Sequence, residues 1–430
     1  MSTVISRLRA SEFLKNVFTL VSATSIGQAI ALLIYPVLSR IYAPAEHGLF
    51  ALYMSIISVT AIMSTGKYEL SVMLPEKDKD GASIAVLSII ISFVFSIFLF
   101  ILISFFGENF SILLGNPNLE KWLWFVPLST FLIGIFQSLI YWSNRKKRYK
   151  KIAGANLSQS LSNSAVKIST STIMSGGGGL IVGAISGQII GALVFLHKLF
   201  KSDNAFFRKV NVSKLRELAK RYILFPKYNM IHYLTNNLSS SLPIFVLSSF
   251  FSPEKVGFYS FGFMMINRPM NLLSGSFTQV FSQRTIEMFN KGQFISKDVK
   301  KFVLRLLFIA ILPFSLAAVF GPAIFDFVFG DNWLEAGKYM RILLPWLFVV
   351  FISSPLSFLP DMLSKQKKAM IIDLVKFFLR IIALVIGVKM NDIYLLLYLF
   401  SGISFILVSY NLYWYVFLSG YADQLIKTNR

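Results

Sequence analysis

Between Gly257 and Ser282 runs a stretch long enough to cross a bilayer, with Asn267-Arg268-Pro269 near its middle. A guanidinium keeps its proton even in hydrocarbon, so at mid-span it needs water, a counter-ion or an anionic ligand. Asn267, Asn271, Ser274 and Thr278 recur at helical spacing and give the segment a polar face beside Arg268. Lys167 shares a helical face with Asn156, Ser160, Asn163 and Thr170, while Asp373, Lys376 and Arg380 fall at i, i+3 and i+7. Deep cations thus outnumber deep acids. Arg268, Lys167, Lys376 and Arg380 suit a wet cavity that takes an anion such as a phosphate or diphosphate, with Asn163, Asn267, Asn271 and Ser274 as polar lining. Asp373, the one deep acid, is the candidate for ion coupling. Structural roles stay open for the same residues. Asp373 with Lys376 or Arg380 makes a self-neutralising pair, Lys167 hydrogen-bonds nearby carbonyls, and Lys227 snorkels to the interface.

These side chains need a membrane fold to hold them. Of 430 residues, 55% are hydrophobic and only 14% charged, with 43 phenylalanines and a mean hydropathy of +0.65. A soluble domain has about a quarter charged residues, so this is an integral membrane protein. The net charge of +22 sits in short loops, where topology and anionic headgroups account for it and nucleic acid is not a partner. Cysteine is absent and the three histidines are scattered, which leaves no expected metal site. Nor is there a Walker loop, an HExxH or a plausible Ser-His-Asp arrangement. No cofactor and no enzymatic reaction are expected. The first apolar run opens near Phe13 and is too long for a cleavable signal peptide.

About 20 apolar residues span the hydrocarbon core. That rule gives twelve helices: 14–39, 48–66, 82–106, 122–142, 152–174 and 179–200, then 222–250, 256–282, 302–321, 340–360, 369–388 and 392–418. The fifth is rich in Ser, Thr, Asn and Gln, so it belongs inside the bundle. Alternate connections are strongly basic: Arg145 to Lys151, Lys198 to Arg221, Arg284 to Lys301, and Lys365 to Lys368. This alternation places both termini in the cytoplasm. Gly176 to Gly179 reads as a flexible hairpin on the other side.

The halves repeat. Tyr42-Ala43-Pro44-Ala45-Glu46-His47-Gly48-Leu49-Phe50 is echoed in outline by Phe251-Ser252-Pro253-Glu254-Lys255-Val256-Gly257-Phe258-Tyr259, and Asn144 to Arg148 by Ser364 to Lys368. The expected organisation is an all-α membrane protein of twelve transmembrane helices in two six-helix lobes around a central cavity. Residues 1–200 form the first lobe, 201–221 a basic cytoplasmic linker and 222–430 the second lobe.

Arg40 to Phe50, Tyr68-Glu69-Leu70-Ser71-Val72-Met73-Leu74-Pro75, Asn144 to Tyr149 and Phe225-Pro226-Lys227-Tyr228-Asn229 together resemble the bacterial polysaccharide transporters. These are the O-antigen and capsule-repeat flippases of the multidrug/oligosaccharidyl-lipid/polysaccharide exporter superfamily. The resemblance implies alternating access in the bacterial inner membrane. Its substrate would be an undecaprenyl-diphosphate-linked oligosaccharide, moved from the cytoplasmic to the periplasmic leaflet. Membrane lipids and a polymerase of the same pathway would be its partners. Arg268, Lys167, Lys376 and Arg380 are the positions that would face the diphosphate. Two alternatives remain. A multidrug or cation antiporter of the same fold would need acids that Leu14 to Ser39 lacks, and a glycan polymerase or ligase would need a large outward loop.

Overall fold

The computed structural model describes Gly27, Ile30 and residues 32–174, 176–207 and 210–428. Among the described residues the secondary structure is helical throughout, and helices cover the predicted spans two to twelve. They are α2 Pro44–Ser64, α3 Asp78–Leu113, α4 Val126–Arg145, α5 Tyr149–Ser169, α6 Gly178–Ser202 and α7 Met230–Phe250. There follow α8 Pro253–Asn290, α9 Ser296–Phe329, α10 Leu334–Ser353, α11 Gln366–Lys389 and α12 Ile393–Thr428. The predicted first span lies largely outside the described residues, with α1 Leu32–Ile41 at its end. By length and composition, α2, α3, α4, α6, α9, α10 (continued to Met362) and α12 can each cross a membrane.

Side-chain exposure follows the logic of a lipid solvent. On α3, Ser88, Ser92 and Ser96 are buried at intervals of one turn, while Phe93, Val94, Phe98 and Phe105 face outward, Phe105 at 75% exposure. On α9, Phe308, Leu312 and Phe327 are likewise outward. A soluble helix would show the reverse. Hydrocarbon accepts the large apolar side chains, and small residues let the helix backbones approach one another.

The chain divides into two compact units, Met1–Val256 and Gly257–Arg430. In the first, α5 lies against α6, α3 against α4, and α2 against α7. The polar α5 is seated by four glycines of α6 at four-residue intervals. A Cβ on Gly179 would stand 2.1 Å from the Tyr42 hydroxyl, on Gly183 2.4 Å from Lys167 Cγ, on Gly187 2.8 Å from the Gln159 carbonyl oxygen, and on Gly191 2.9 Å from the Phe136 ring. The α5–α6 seam therefore exists only because one helix presents bare backbone.

The glycine turn before α6 is not a loose hairpin. The Gly177 N–H donates to Glu46 Oε1 at 2.8 Å, and the other oxygen of Glu46 accepts from the Ala43 N–H at 2.7 Å, capping α2. Gly177 sits at φ +77° against the Glu46 backbone, and a Cβ on Gly178 would lie 2.7 Å from the Trp122 ring. Close approach, and not flexibility, accounts for these glycines.

In the second unit α10 packs between α9 and α12, and α11 lies on α12. Ring contacts tie α8 to its neighbours: Phe261 against Trp333 at 4.0 Å, Phe263 against Trp346 at 5.9 Å, and Phe281 stacked on Phe302 at 3.8 Å. The sequence echoes have local structural counterparts. Both Pro44 and Pro253 open a helix, and Lys147 and Ser364 both take positive φ just before one. A further echo, Gly115-Asn116-Pro117-Asn118-Leu119-Glu120 with Gly330-Asp331-Asn332-Trp333-Leu334-Glu335, pairs a positive-φ glycine with a following 3₁₀ turn in each half.

Gly187→Ala should overpack the α5–α6 seam and destabilise the protein by ~1–3 kcal/mol. Gly275→Ala is the control, since its Cβ would meet nothing within 4 Å. Thermal unfolding in detergent should show a lowered midpoint for the first variant and not the second.

Candidate functional site

The buried charged side chains within the described spans are few, and each unit holds one cation among them. In unit 1, Lys167 is 5% exposed near the end of α5. Its stem lies over Gly183, and its ammonium stands 4.3 Å from the centre of the Phe50 ring on α2. Its carbonyl accepts from the Tyr42 hydroxyl at 2.7 Å. One turn earlier on the same face is Asn163, pressed against Gly187. Its Oδ1 is buried and meets no hydrogen-bond donor among the described residues. A cation with an adjoining open acceptor suits a polyhydroxylated anion, with the ammonium for charge and the amide oxygen for a hydroxyl.

In unit 2 the corresponding cation is Arg380. Arg380, Ala383, Leu384 and Gly387 are the buried face of α11. Gly387 lets that face come close, since a Cβ there would lie 2.3 Å from Leu396 Cβ on α12. The Arg380 Nε–H donates to the Ser404 hydroxyl at 2.9 Å. Its guanidinium sits 5.1 Å from the Trp346 ring and 5.2 Å from the Phe400 ring. Aromatic faces attract a guanidinium by ~0.5–2 kcal/mol each, which offsets part of its desolvation. One turn back on the same face Lys376 is ion-paired with Asp373, both half-buried.

Arg268 stands in the middle of α8, half-buried, directly before Pro269. Asn267 is also half-buried and Asn271 exposed; Ser274 is buried, and its Oγ meets no hydrogen-bond partner among the described residues. Asn267, Arg268, Asn271 and Ser274 thus lie on one helix, with different degrees of exposure. Lys167 and Asn163 share one helix, as do Asp373, Lys376 and Arg380.

Ser404, Trp346 and Phe400 escaped the sequence reading, because a serine and two aromatic residues on separate apolar helices carry no local signature. The glycine stripe of α6 did carry one. Gly179, Gly183, Gly187 and Gly191 fall at the four-residue spacing of close-packed membrane helices.

A second cluster gathers at the end of unit 1 that bears the basic loops. Tyr68–Met73 forms a 3₁₀ helix, and Glu69 in it is buried and paired with Lys67 at 3.3 Å. Lys67 also lies 4.8 Å from the Tyr233 ring on α7. The Tyr68 hydroxyl donates to the Ala219 carbonyl at 2.9 Å, and Gly66 approaches Pro226 of the π turn Phe225–Asn229. Arg145 closes the arrangement. Its Nη1 donates to the Val72 carbonyl at 3.1 Å, its Nη2 to the Glu76 carbonyl at 3.1 Å, and its Nε to Asp78 Oδ1 at 2.9 Å. Lys146 takes the other oxygen of Asp78 at 2.6 Å. Asp203 pairs with Arg148 and accepts from the Trp142 indole, at 3.0 Å for the latter. Three stretches of the family resemblance thus meet at one place, where their basic residues are used as clamps.

Over residues 37–338 the sequence matches a family model described as polysaccharide biosynthesis protein. No curated protein matches the sequence. Among solved structures, the lipid II flippase MurJ in an inward closed conformation is similar with a TM-score of 0.66 at 17% identity, over 94% of this chain and 91% of that one. A MOP superfamily transporter from Pyrococcus furiosus gives 0.64 at 13% identity, over 95% and 96%. An inward-facing multidrug resistance MATE family transporter of the MOP superfamily gives 0.62 at 14%, over 94% and 95%. At these identities the likeness is one of fold: a multi-pass helical transporter architecture.

Arg145→Ala removes three charge-assisted hydrogen bonds, each worth ~1.5–3 kcal/mol at most in a folded protein. The loop 66–78 should then open, read as faster proteolysis there and a lower melting midpoint in detergent. Ser404→Ala removes the hydrogen bond that the buried Arg380 Nε–H donates and should cost ~1–3 kcal/mol by the same measurement.

Proposed function

The chain belongs to the polysaccharide biosynthesis protein family, and from that premise we propose that it is a flippase for lipid-linked oligosaccharide. On this reading it moves undecaprenyl-diphosphate-linked repeat units, of O-antigen or capsule type, from the cytoplasmic to the periplasmic leaflet of a bacterial inner membrane. It does so by alternating access, with both termini in the cytoplasm. Residues 1–200 and 222–430 act as the two lobes, joined by the basic segment 201–221, and the pathway's polymerase receives the product.

One observation carries the reading: among the described residues the buried charged side chains inside the spans are Lys167 and Arg380, while the buried acids Glu69 and Asp203 lie at the basic-loop end of unit 1, paired with Lys67 and Arg148. Positive charge inside the spans favours a diphosphate and disfavours a cationic drug. Asn163 Oδ1 and Ser274 Oγ, buried and without a hydrogen-bond partner among the described residues, are suited to sugar hydroxyls. Arg268 adds a cation on α8, and Asp373, ion-paired with Lys376, is the candidate for ion coupling. Transport needs no bond made or broken in the substrate, so no catalytic residue is required. A multidrug antiporter on the same fold would need buried carboxylates in its spans, and Asp373 is half-buried and already paired.

Deletion of the gene should make lipid-linked repeat units accumulate on the cytoplasmic leaflet, read by protection from an impermeant glycan-oxidising reagent. Absence of accumulation would overturn the reading. Arg380→Gln and Lys167→Gln should each lower flipping in proteoliposomes about tenfold or more, the loss of ~1.5–3 kcal/mol from one charge-assisted phosphate contact.

A further inference from the structure

Away from these residues, a crevice of about 400 Å³ opens in unit 2 where α8 and α9 meet. Its charged lining is Arg284 from α8 with Asp298, Lys301 and Arg305 from α9. Its floor is apolar, with Phe281 stacked on Phe302 at 3.8 Å. We propose that this crevice is a binding site for the headgroup of an anionic membrane phospholipid.

Three features converge on that occupant. Lys301 and Arg305 are one helical turn apart and so present two cations on one face, with Arg284 supplying a third from the facing helix. Asp298 engages Arg284 at 3.5 Å, an exposed pair that leaves the crevice with more positive than negative charge. A zwitterionic headgroup would bring its own ammonium into that surplus, and a net-negative one would not. The surface also changes character at this level. Along α9 the exposed residues pass from Lys297, Lys300, Lys301 and Arg305 to Phe308, Ile309 and Leu312. The step from Arg305 to Leu312 is only ~10 Å of helix. On α8, exposed Val280 precedes exposed Arg284. The cations therefore stand at the rim where an apolar wall ends. A phospholipid has its phosphate at that level, with an acyl chain along the wall below. Inorganic phosphate would use the cations and leave the apolar floor and wall unused.

The site is independent of the transport reading, because its occupancy is measured without flipping. Full-length protein in detergent is titrated with phosphatidylglycerol or phosphatidylcholine of identical chains, and bound lipid is counted by native mass spectrometry. Phosphatidylglycerol should be retained and phosphatidylcholine lost. The combined Arg284→Gln, Lys301→Gln, Arg305→Gln variant should lower retention about tenfold or more, and Asp298→Asn should retain at least as much as the parent. A control variant, Lys255→Gln with Lys338→Gln and Lys389→Gln, removes the same charge at half-buried or exposed positions elsewhere and should bind as the parent does. Equal retention of both lipids would overturn the proposal, as would equal loss in the control variant. So would displacement of the lipid by millimolar inorganic phosphate. All the substituted side chains are exposed or half-buried, and elution as a single symmetric species checks that each variant is folded.

Discussion

Hydrocarbon offers a polar group nothing to bond with, and the arrangement of side chains in this protein follows from that. Large apolar residues such as Phe105, Phe308 and Phe327 face outward without cost, while serine, asparagine and the charged groups must find partners inside. With hydrophobic burial no longer driving helices together, close backbone approach takes its place. The α5–α6 seam depends on it most. Were Gly183 and Gly187 any larger, the carbonyl of Gln159, the stem of Lys167 and the side chain of Asn163 could not lie where they do. A helix as polar as α5 would then have no dry neighbour to shield it. The glycines of α6 are what make a buried Lys167 possible.

The two buried cations are housed differently. Lys167 is a compact charge on a flexible stem, and it needs only a groove and the face of Phe50. Arg380 has a rigid planar fork, so its site is built around geometry. Ser404 fixes one donor, and the rings of Trp346 and Phe400 stand 5.1 and 5.2 Å from the guanidinium carbon. Holding such groups charged in a low-dielectric setting is costly. The protein nevertheless keeps one buried in each unit. This is the physical basis for reading the substrate as an anion.

The stretches that carry the family resemblance serve a different purpose from the buried cations. Tyr68–Pro75, Asn144–Tyr149 and Phe225–Asn229 meet at the basic-loop end of unit 1, where Arg145 binds two carbonyls and a carboxylate and Tyr68 reaches the Ala219 carbonyl. Loop basic residues that orientation alone would explain are here also hydrogen-bonded clamps. The resemblance stretches and the buried cations are thus separate in this fold: the former fix loops, and the latter lie within the helices.

The sequence alone was enough to establish the helical membrane class, because apolar length is a property of a single segment and needs no partner. It also made the polar α5 legible as an interior helix and the Asp373-Lys376-Arg380 face legible as a unit, since spacing along one helix fixes what shares a face. It could not assign Lys376 to Asp373 and Arg380 to Ser404, because that choice depends on which side of α11 meets α12. Gly177, Gly178 and Gly179 read as flexible until Glu46, Trp122 and Tyr42, distant in sequence, were seen to crowd them. Contacts across more than a hundred residues, such as Tyr42 with Lys167, are set by how helices pack, and packing is decided only when the whole chain has folded.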